Sequence, residues 1–176
     1  MSVTQILLDV DGVLTNFVKA ALKVHKMEDY KIKSWDFFKE LEIKAEDFWN
    51  KIDNKEKFWE TLPEYEWCDD LIGKIQELRI PYILSTSPSL ASNSCYGKRQ
   101  WMINKFGIKF TSFMIGGQKH LMANKHTVLI DDSDKNIDNF RAHGGKGIVF
   151  PQPWNSMSVI SHDRVDYVMF KLKELI

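Results

Sequence analysis

The segment Gln5-Ile-Leu-Leu-Asp-Val-Asp-Gly-Val-Leu-Thr15 decides the fold of this chain of 176 residues. It begins as a short apolar run, which is typical of a strand buried on both faces of a parallel sheet. The run ends in Asp9 and Asp11, and Gly12 then predicts a turn. Aspartate is a poor strand former, and one aspartate would suffice to cap a following helix. The pair therefore favours a functional site at this strand end.

The chain beyond residue 63 alternates between apolar runs and helical patterns. Further strands are predicted at Tyr82–Ser85, Thr127–Ile130 and Gly147–Phe150, with a short one inside 110–115. Helices are predicted at Cys68–Leu78, Gly97–Phe106, Asn136–His143 and Val165–Leu175. This alternation predicts an α/β fold around a parallel sheet.

The stretch from Phe17 to Pro63 does not follow the alternation. It lacks a clear strand and is rich in charged and aromatic residues. We interpret it as a small helical insertion after the first strand. The predicted organisation is a core of residues 1–16 and 64–176 and a helical cap of residues 17–63. Such a cap would lie over the carboxyl ends of the strands, where open α/β sheets bind ligands.

Two other strand ends carry polar side chains. The second strand ends in Ser85-Thr86-Ser87-Pro88, whose hydroxyls and backbone N–H groups suit a phosphate, although an ordinary turn has the same composition. The strand at 127–130 runs directly into Asp131 and Asp132. Because the carboxyl ends of parallel strands share one edge of a sheet, we expect these groups to meet Asp9 and Asp11 there.

The charges expected at this edge predict a metal ion. Four aspartates would repel a phosphate dianion unless positive charge lies between them. Oxygen ligands without Cys or His select a hard cation, and a few carboxylates combined with a substrate phosphate are typical of Mg²⁺. A lysine shortly before the fourth strand, Lys119 or Lys125, would supply further positive charge.

The composition argues against several classes of protein. Lys plus Arg and Asp plus Glu both number 24, so no net positive field attracts nucleic acid or an anionic membrane. The apolar runs are far shorter than the ~20 residues of a membrane span, and the first residues lack the basic start of a secretory signal. Cys68 and Cys95 are predicted to be reduced thiols of a cytoplasmic protein. We expect a small phosphorylated partner, and the sequence leaves a homodimer open.

Four motifs, in this order, resemble those of the haloacid dehalogenase-like (HAD) phosphatase superfamily. They are Asp9-Val-Asp11-Gly-Val-Leu-Thr15, Leu84-Ser-Thr86, Lys119 and Leu129-Ile-Asp131-Asp132. The closer resemblance is to the 5′(3′)-deoxyribonucleotidases, through Phe17, Ser85-Thr86-Ser87-Pro88, Lys98-Arg-Gln-Trp101 and Lys119-His-Leu-Met-Ala123. This resemblance implies a Rossmann-like core with a small helical cap and Mg²⁺-dependent hydrolysis of nucleoside monophosphates.

The resemblance also implies a role for each matched residue. Asp9 would be the nucleophile that forms an aspartyl-phosphate, and Asp11 would be the general acid and then the general base. The implied phosphate-binding residues are Thr86, Ser87, Lys98 and Lys119, of which Lys119 also neutralises charge during the reaction. The implied metal ligands are Asp9, the main-chain carbonyl of Asp11 and Asp132, with Asp131 either a ligand or an orienting residue.

Most aromatic residues of the predicted cap are expected to form its core, because aromatics dominate burial in small units. The candidates for stacking on a nucleobase are Phe17, which the family resemblance places first, and then Trp35 and Trp49. Trp101 and Trp154 are predicted to be structural. The histidines predicted to lie at the surface are His25, His143 and His162.

Four alternative functions stay open. They are a polynucleotide 3′-phosphatase, a sugar-phosphate phosphatase with the same core, a receiver-like signalling domain and an inactive binding relative. The neutral charge disfavours the first and the aromatic cap the second, while the late position of Asp131 and Asp132 disfavours the third. All four charged motif positions are present, which disfavours the fourth. Asn16 and Ser133 depart from the family pattern, so substrate preference is not transferred from it.

Overall fold

The computed structural model describes residues 2–55, 57–89 and 93–176 and contains one parallel five-stranded sheet of order β3-β2-β1-β4-β5. The strands are β1 (Gln5–Asp9), β2 (Tyr82–Thr86), β3 (Phe113–Ile115), β4 (Thr127–Asp131) and β5 (Lys146–Val149). Leu8 of the central strand is in register with Leu84 on one side and Ile130 on the other. The predicted α/β fold with a Rossmann-like parallel sheet is confirmed.

Helices follow the strands much as the apolar patterns predict. They are α1 (Phe17–His25), α2 (Phe37–Glu40), α3 (Ala45–Asp53), α4 (Cys68–Glu77), α5 (Ser94–Phe106), α6 (Asp134–Ala142) and α7 (Arg164–Leu175). Single 3-10 turns lie at Trp59–Thr61 and Lys119–Met122. The largest differences from the predicted bounds are that α5 begins at Ser94 rather than Gly97, and that the strand inside 110–115 covers only Phe113–Ile115. None of the helices in these described ranges is long and apolar enough to cross a bilayer.

The sheet is covered on both faces, which explains its near-continuous apolar strands. Leu7 of β1 and Leu129 of β4 are fully buried and share a hydrophobic cluster with Ile137 of α6. Ile6 and Leu8, whose side chains point to the opposite face, belong to the main core. That core also contains buried side chains of α1, α4, α5 and α7.

The helical segment, residues 17–63, is attached to the sheet through two adjacent stretches of backbone. The Asn16 N–H donates to the Pro63 carbonyl at 2.7 Å, and the Tyr65 N–H donates to the Leu14 carbonyl at 2.9 Å. The Asn16 side chain also accepts a hydrogen bond from the Lys19 N–H, which caps α1. The chain thus enters and leaves the helical segment side by side, next to the end of β1.

The predicted surface position of His25 is wrong. His25 is only 8% exposed and stacks on Phe48 of α3, with ring centroids 4.7 Å apart. Its Nε2 lies 3.3 Å from the Phe48 carbonyl, and burial lowers the pKa of the imidazole. The helical segment is small, so the last turn of α1 becomes part of its core.

Candidate active site

A tight turn after β1 shapes the first part of the site. The N–H groups of Leu14 and Thr15 both donate to the Val10 carbonyl at 2.8 Å. Gly12 adopts a φ of +84°, which favours glycine, and a Cβ at this position would collide with the Asp132 carboxylate. The turn therefore brings the end of β1 directly against the residue that follows β4.

Lys119 joins the ends of β1 and β4. Its Nζ lies 2.5 Å from Oδ1 of Asp9 and 2.7 Å from Oδ2 of Asp131. All three side chains are buried. Burial alone would lower the pKa of Lys119, but the two carboxylates raise it, so the ammonium stays charged. Of the two lysines predicted as candidates, Lys119 lies at this site, whereas Lys125 is exposed.

Asp131 and Asp132 are adjacent but have different surroundings. Asp131 accepts hydrogen bonds from Lys119, from the Ser133 N–H at 2.9 Å and from Asn136 Nδ2 at 3.1 Å. The carboxylate of Asp132 instead accepts a hydrogen bond from Trp154 Nε1 at 2.7 Å and lines the cavity described below. Asp131 is thus held within the protein, while Asp132 faces the space where a ligand would bind.

The acidic cluster has the chemistry of a divalent-cation site. Carboxylate oxygens of Asp9, Asp131 and Asp132 all lie within 4.8 Å of one another, and all three residues are buried. Burial and the neighbouring Asp131 raise the pKa of Asp9 to about 7, and burial with Asp9 and Asp131 raises the pKa of Asp132 well above its usual range. One ammonium does not balance this charge. An all-oxygen donor set of this kind fits a hard cation such as Mg²⁺.

Asp11 has a separate set of partners from β2 and α5. Its Oδ2 accepts hydrogen bonds from Thr86 Oγ1 at 2.5 Å and Lys98 Nζ at 2.7 Å, and its Oδ1 accepts one from Thr15 at 3.2 Å. Lys98 also donates to the Ser87 carbonyl at 2.5 Å. Burial alone would raise the pKa of Asp11, but the Lys98 ammonium and the hydrogen bonds from Lys98 and Thr86 lower it. Asp11 is therefore ionised in this arrangement.

A cavity of about 650 Å³ extends from these charged groups into the helical segment. Its charged and polar lining includes Asp9, Asp11, Ser87, Lys98, Lys119, Asp132 and Asn136. Its aromatic lining consists of Phe17, Trp35, Phe38, Trp49 and Trp59. Thr86 lies behind Asp11 and is fully buried, so its hydroxyl binds Asp11 and Lys98 and is not part of the lining.

The three predicted base-stacking residues differ in how much of the ring is free. Phe17 is 3% exposed, because Trp49 stacks on it at 5.8 Å and Trp59 at 5.6 Å. Trp49 is half-buried, and Trp35 is 42% exposed. Phe17 thus contributes to the wall of the cavity, and Trp35 presents the largest free surface.

Comparison of the sequence with known protein families identifies the family of this chain. Residues 2–167 match the family described as 5′ nucleotidase, deoxy (Pyrimidine), cytosolic type C protein, or NT5C. The chain belongs to the NT5C family. The resemblance to the HAD phosphatases and to the deoxyribonucleotidases is therefore confirmed, and this NT5C chain is a phosphoric monoester hydrolase. No curated protein is significantly similar to it in sequence.

Several solved structures that share the fold of this NT5C chain are described as HAD hydrolases. A haloacid dehalogenase-like hydrolase from Xanthomonas campestris is 12% identical with a TM-score of 0.63, over 99% of this chain and 92% of that one. YfnB from Bacillus subtilis, bound to magnesium, is 13% identical with a TM-score of 0.62, over 98% and 99%. A hydrolase from Deinococcus radiodurans, with bound phosphate and sodium, is 11% identical with a TM-score of 0.61, over 98% and 97%. At these identities the likeness shows the fold.

The NT5C chain also uses site residues that the sequence did not reveal. They lie in the bracing segment, residues 150–155, which follows β5. Gln152 Nε2 donates to the Gly12 carbonyl at 2.5 Å, and Asn155 Nδ2 donates to the Asp132 carbonyl at 2.8 Å. Trp154, predicted to be structural, binds the carboxylate of Asp132. The signal in the sequence is the run Pro151-Gln-Pro-Trp-Asn155, where polar residues and a tryptophan follow a predicted strand.

Trp101, like Trp154, is predicted to be structural, and its contacts agree with that prediction. Its side chain is 5% exposed, and its Nε1 donates to the Leu62 carbonyl at 3.1 Å. This tryptophan fastens α5 to the end of the helical segment and does not line the cavity.

Proposed function

We propose that this chain hydrolyses 5′- or 3′-monophosphates of (deoxy)ribonucleosides in a Mg²⁺-dependent reaction through an aspartyl-phosphate at Asp9. One observation carries the proposal. A single cavity is lined both by the charged groups of Asp9, Lys98 and Lys119 and by the rings of Trp35 and Trp49. Phosphate suits the charged groups, and a planar base suits the aromatic rings.

Asp9 is the proposed nucleophile. A carboxylate oxygen of Asp9 attacks phosphorus, the bond from phosphorus to the sugar oxygen breaks, and that oxygen leaves with the electron pair. Lys119, which holds Oδ1 of Asp9 in this structure, orients the carboxylate and offsets charge on the transferred phosphoryl group. Water then attacks the aspartyl-phosphate, and phosphate leaves from Asp9.

Asp11 is the proposed acid and base. It protonates the leaving sugar oxygen and then accepts the proton of the attacking water. The contacts with Lys98 and Thr86 lower the pKa of Asp11 and keep it ionised. An arriving phosphate dianion attracts Lys98 and adds negative charge beside Asp11, so both effects raise the pKa of Asp11 and favour its protonation. Lys98 would thus bind the phosphate and also control the pKa of the proton donor, Asp11.

Asp9, Asp132 and the main-chain carbonyl of Asp11 are the proposed ligands of Mg²⁺. When bound, the cation supplies the positive charge that lets a carboxylate approach a phosphate dianion. Asp131 is the proposed orienting residue, because Lys119, Ser133 and Asn136 occupy its carboxylate. Ser87 and backbone N–H groups beside it are proposed to bind phosphoryl oxygens, with Thr86 holding Asp11 behind them.

The helical segment is proposed to act as a cap that binds the base. Trp35 and Trp49 offer ring surface for stacking, and Phe17 packs against both of them.

The two cysteines without a disulfide, together with the family, support a cytoplasmic location.

The proposal is tested by measuring phosphate release from a panel of nucleoside monophosphates. The panel contains 5′- and 3′-monophosphates of ribo- and deoxyribonucleosides, each assayed with Mg²⁺ or with a chelator. We expect release from nucleotides only when Mg²⁺ is present. Asp9→Asn is expected to lose more than about a thousandfold in turnover. Faster hydrolysis of sugar phosphates or of polynucleotide 3′-phosphate ends would replace the proposed substrate. Turnover of Asp9→Asn within about tenfold of the parent would exclude Asp9 as the nucleophile.

A further inference from the structure

We propose that Trp154 is a positioning residue, which fixes Asp132 for the cation and connects it to Trp35 of the helical segment. The inference rests on the proposed cation dependence of the site. It adds a direct physical link between the part of the cavity that would bind the cation and the part that would bind the base.

The first step is the hydrogen bond to Asp132. Trp154 Nε1 donates to Oδ2 of Asp132 at 2.7 Å. An indole N–H is a donor only, so it favours the ionised carboxylate and cannot itself bind a cation. It holds one oxygen of Asp132 and leaves Oδ1 available. Lys119 and Asn136 donate to Asp131 and not to Asp132, so Trp154 is well placed to control this carboxylate.

The second step is the rigidity of the bracing segment. Asn155 Nδ2 donates to the carbonyls of Asp132 at 2.8 Å and Phe150 at 2.7 Å. Gln152, which is 2% exposed, donates to the Gly12 carbonyl. Pro153 precedes Trp154 and restricts the backbone there. The indole is thus carried by a segment that is itself anchored to both acidic strand ends.

The third step is the contact with the helical segment. The rings of Trp154 and Trp35 have centroids 5.7 Å apart, and Trp35 also lies 5.8 Å from Phe17. Trp35 lines the cavity, so a base that stacks on it would press on a ring that contacts Trp154. Movement of Trp35 therefore reaches Asp132 through a single indole.

The first link is tested by calorimetric titration of the metal-free protein with Mg²⁺ alone. Trp154→Phe removes the N–H and keeps a ring, and we expect Mg²⁺ to bind about tenfold to a hundredfold more weakly. Trp101→Phe is the matched control, because it also removes an indole hydrogen bond, and it is expected to stay within about twofold of the parent. Unchanged affinity in Trp154→Phe overturns the inference. Failure of the parent to bind Mg²⁺ contradicts the proposed function instead.

A measurement on the unaltered protein does not depend on the folding of a variant. We expect the indole N–H resonance of Trp154 in a ¹⁵N NMR spectrum to shift when Mg²⁺ is added, while that of Trp101 stays in place. A resonance of Trp154 that does not respond to saturating Mg²⁺ contradicts the role in positioning Asp132.

A double-mutant cycle tests the second link. Trp35→Ala is expected to weaken Mg²⁺ binding by at least about twofold in the parent and to have no further effect in Trp154→Phe. An equal effect in both backgrounds, or none in either, would show that Trp35 does not act through Trp154.

Discussion

The ammonium of Lys98 lies 2.7 Å from Oδ2 of Asp11, although the two residues are 87 positions apart in the sequence. Lys98 reaches this carboxylate from α5, and Asp11 lies just beyond the end of β1. The pair is largely buried, so the interaction is little screened by solvent. It sets the ionisation of the residue that we propose as acid and base.

Replacing Lys98 is therefore expected to change the pH dependence of the reaction. In Lys98→Met, burial of Asp11 is no longer opposed by the ammonium, so the pKa of Asp11 rises. The alkaline limb of kcat/KM against pH, which reports loss of the proton from the acid Asp11, should therefore move to higher pH. Lys98→Arg keeps the charge and serves as the control, with a much smaller displacement of the limb. A lower rate with an unmoved limb would limit Lys98 to phosphate binding.

Asp9 is expected to destabilise the metal-free protein at alkaline pH. Its pKa is raised, chiefly by burial, from 3.8 to about 7, so its contribution to stability is complete below pH 3.8 and is lost as pH rises through 7. Asp9→Asn should therefore be more stable than the parent at pH 8, by about 1–2 kcal/mol or roughly 3–8 °C in Tm.

Thermal melts in the presence of a chelator, at pH 5 and at pH 8, check this expectation. The advantage of Asp9→Asn should be smaller at pH 5, because Asp9 of the folded parent is still mostly protonated and only part of the loss between pH 3.8 and 7 has occurred. A parent that is at least as stable as the variant at pH 8 would show that Lys119 fully compensates the buried charge.

Cation binding is expected to release protons. Asp9 and Asp132 both have a raised pKa in the metal-free protein, and a carboxylate must be ionised to bind a metal. Affinity for Mg²⁺ should thus increase as pH rises from 6 to 8. Calorimetry at pH 6 in buffers of different ionisation enthalpy measures the protons released, and the number should fall at pH 8. Affinity that is independent of pH would place the cation away from these two residues.

Trp35 is expected to recognise the base without taking part in the chemistry. Trp35→Ala removes the most exposed ring of the cavity, so KM for a nucleoside monophosphate should rise by about tenfold to a hundredfold, in line with about 1–3 kcal/mol per stacked base. Deoxyribose 5-phosphate, which has no base, is the control substrate, and at saturating Mg²⁺ its kcat/KM should change little. An equal loss on both substrates would assign Trp35 to the shape of the site as a whole.

The acids were predictable because strand ends in a parallel sheet converge, whereas position in the chain left Lys119 and Lys125 open and the family resemblance selected Lys119. Asp9, Asp131 and Asp132 follow apolar runs that could be read as strands, and the sheet order then brings them together. Lys98 has no such signal, since it lies on a helix, and only the family resemblance indicated it. Its contact with Asp11 depends on how α5 packs, which periodicity does not specify.

The bracing segment and His25 show where sequence patterns carry too little information. Gln152, Trp154 and Asn155 act from an irregular loop, and their hydrogen bonds depend on exact backbone positions. A tryptophan in such a loop has the same pattern whether it packs in a core or binds a carboxylate. His25 is buried because it lies in the last turn of α1 and stacks on Phe48 inside this small segment.

The chain enters and leaves the helical segment at two adjacent junctions, residues 14–16 and 63–65. This arrangement makes the helical segment exchangeable. Both junctions are short, adjacent and fastened by backbone hydrogen bonds, which do not depend on the identity of the side chains. Another run of helices spliced between Asn16 and Pro63 would keep these junctions, provided that it restores the packing against Trp154 and Trp101. New specificities can then be grafted onto the same acidic strand ends, as expected when function resides in a site carried by a fold.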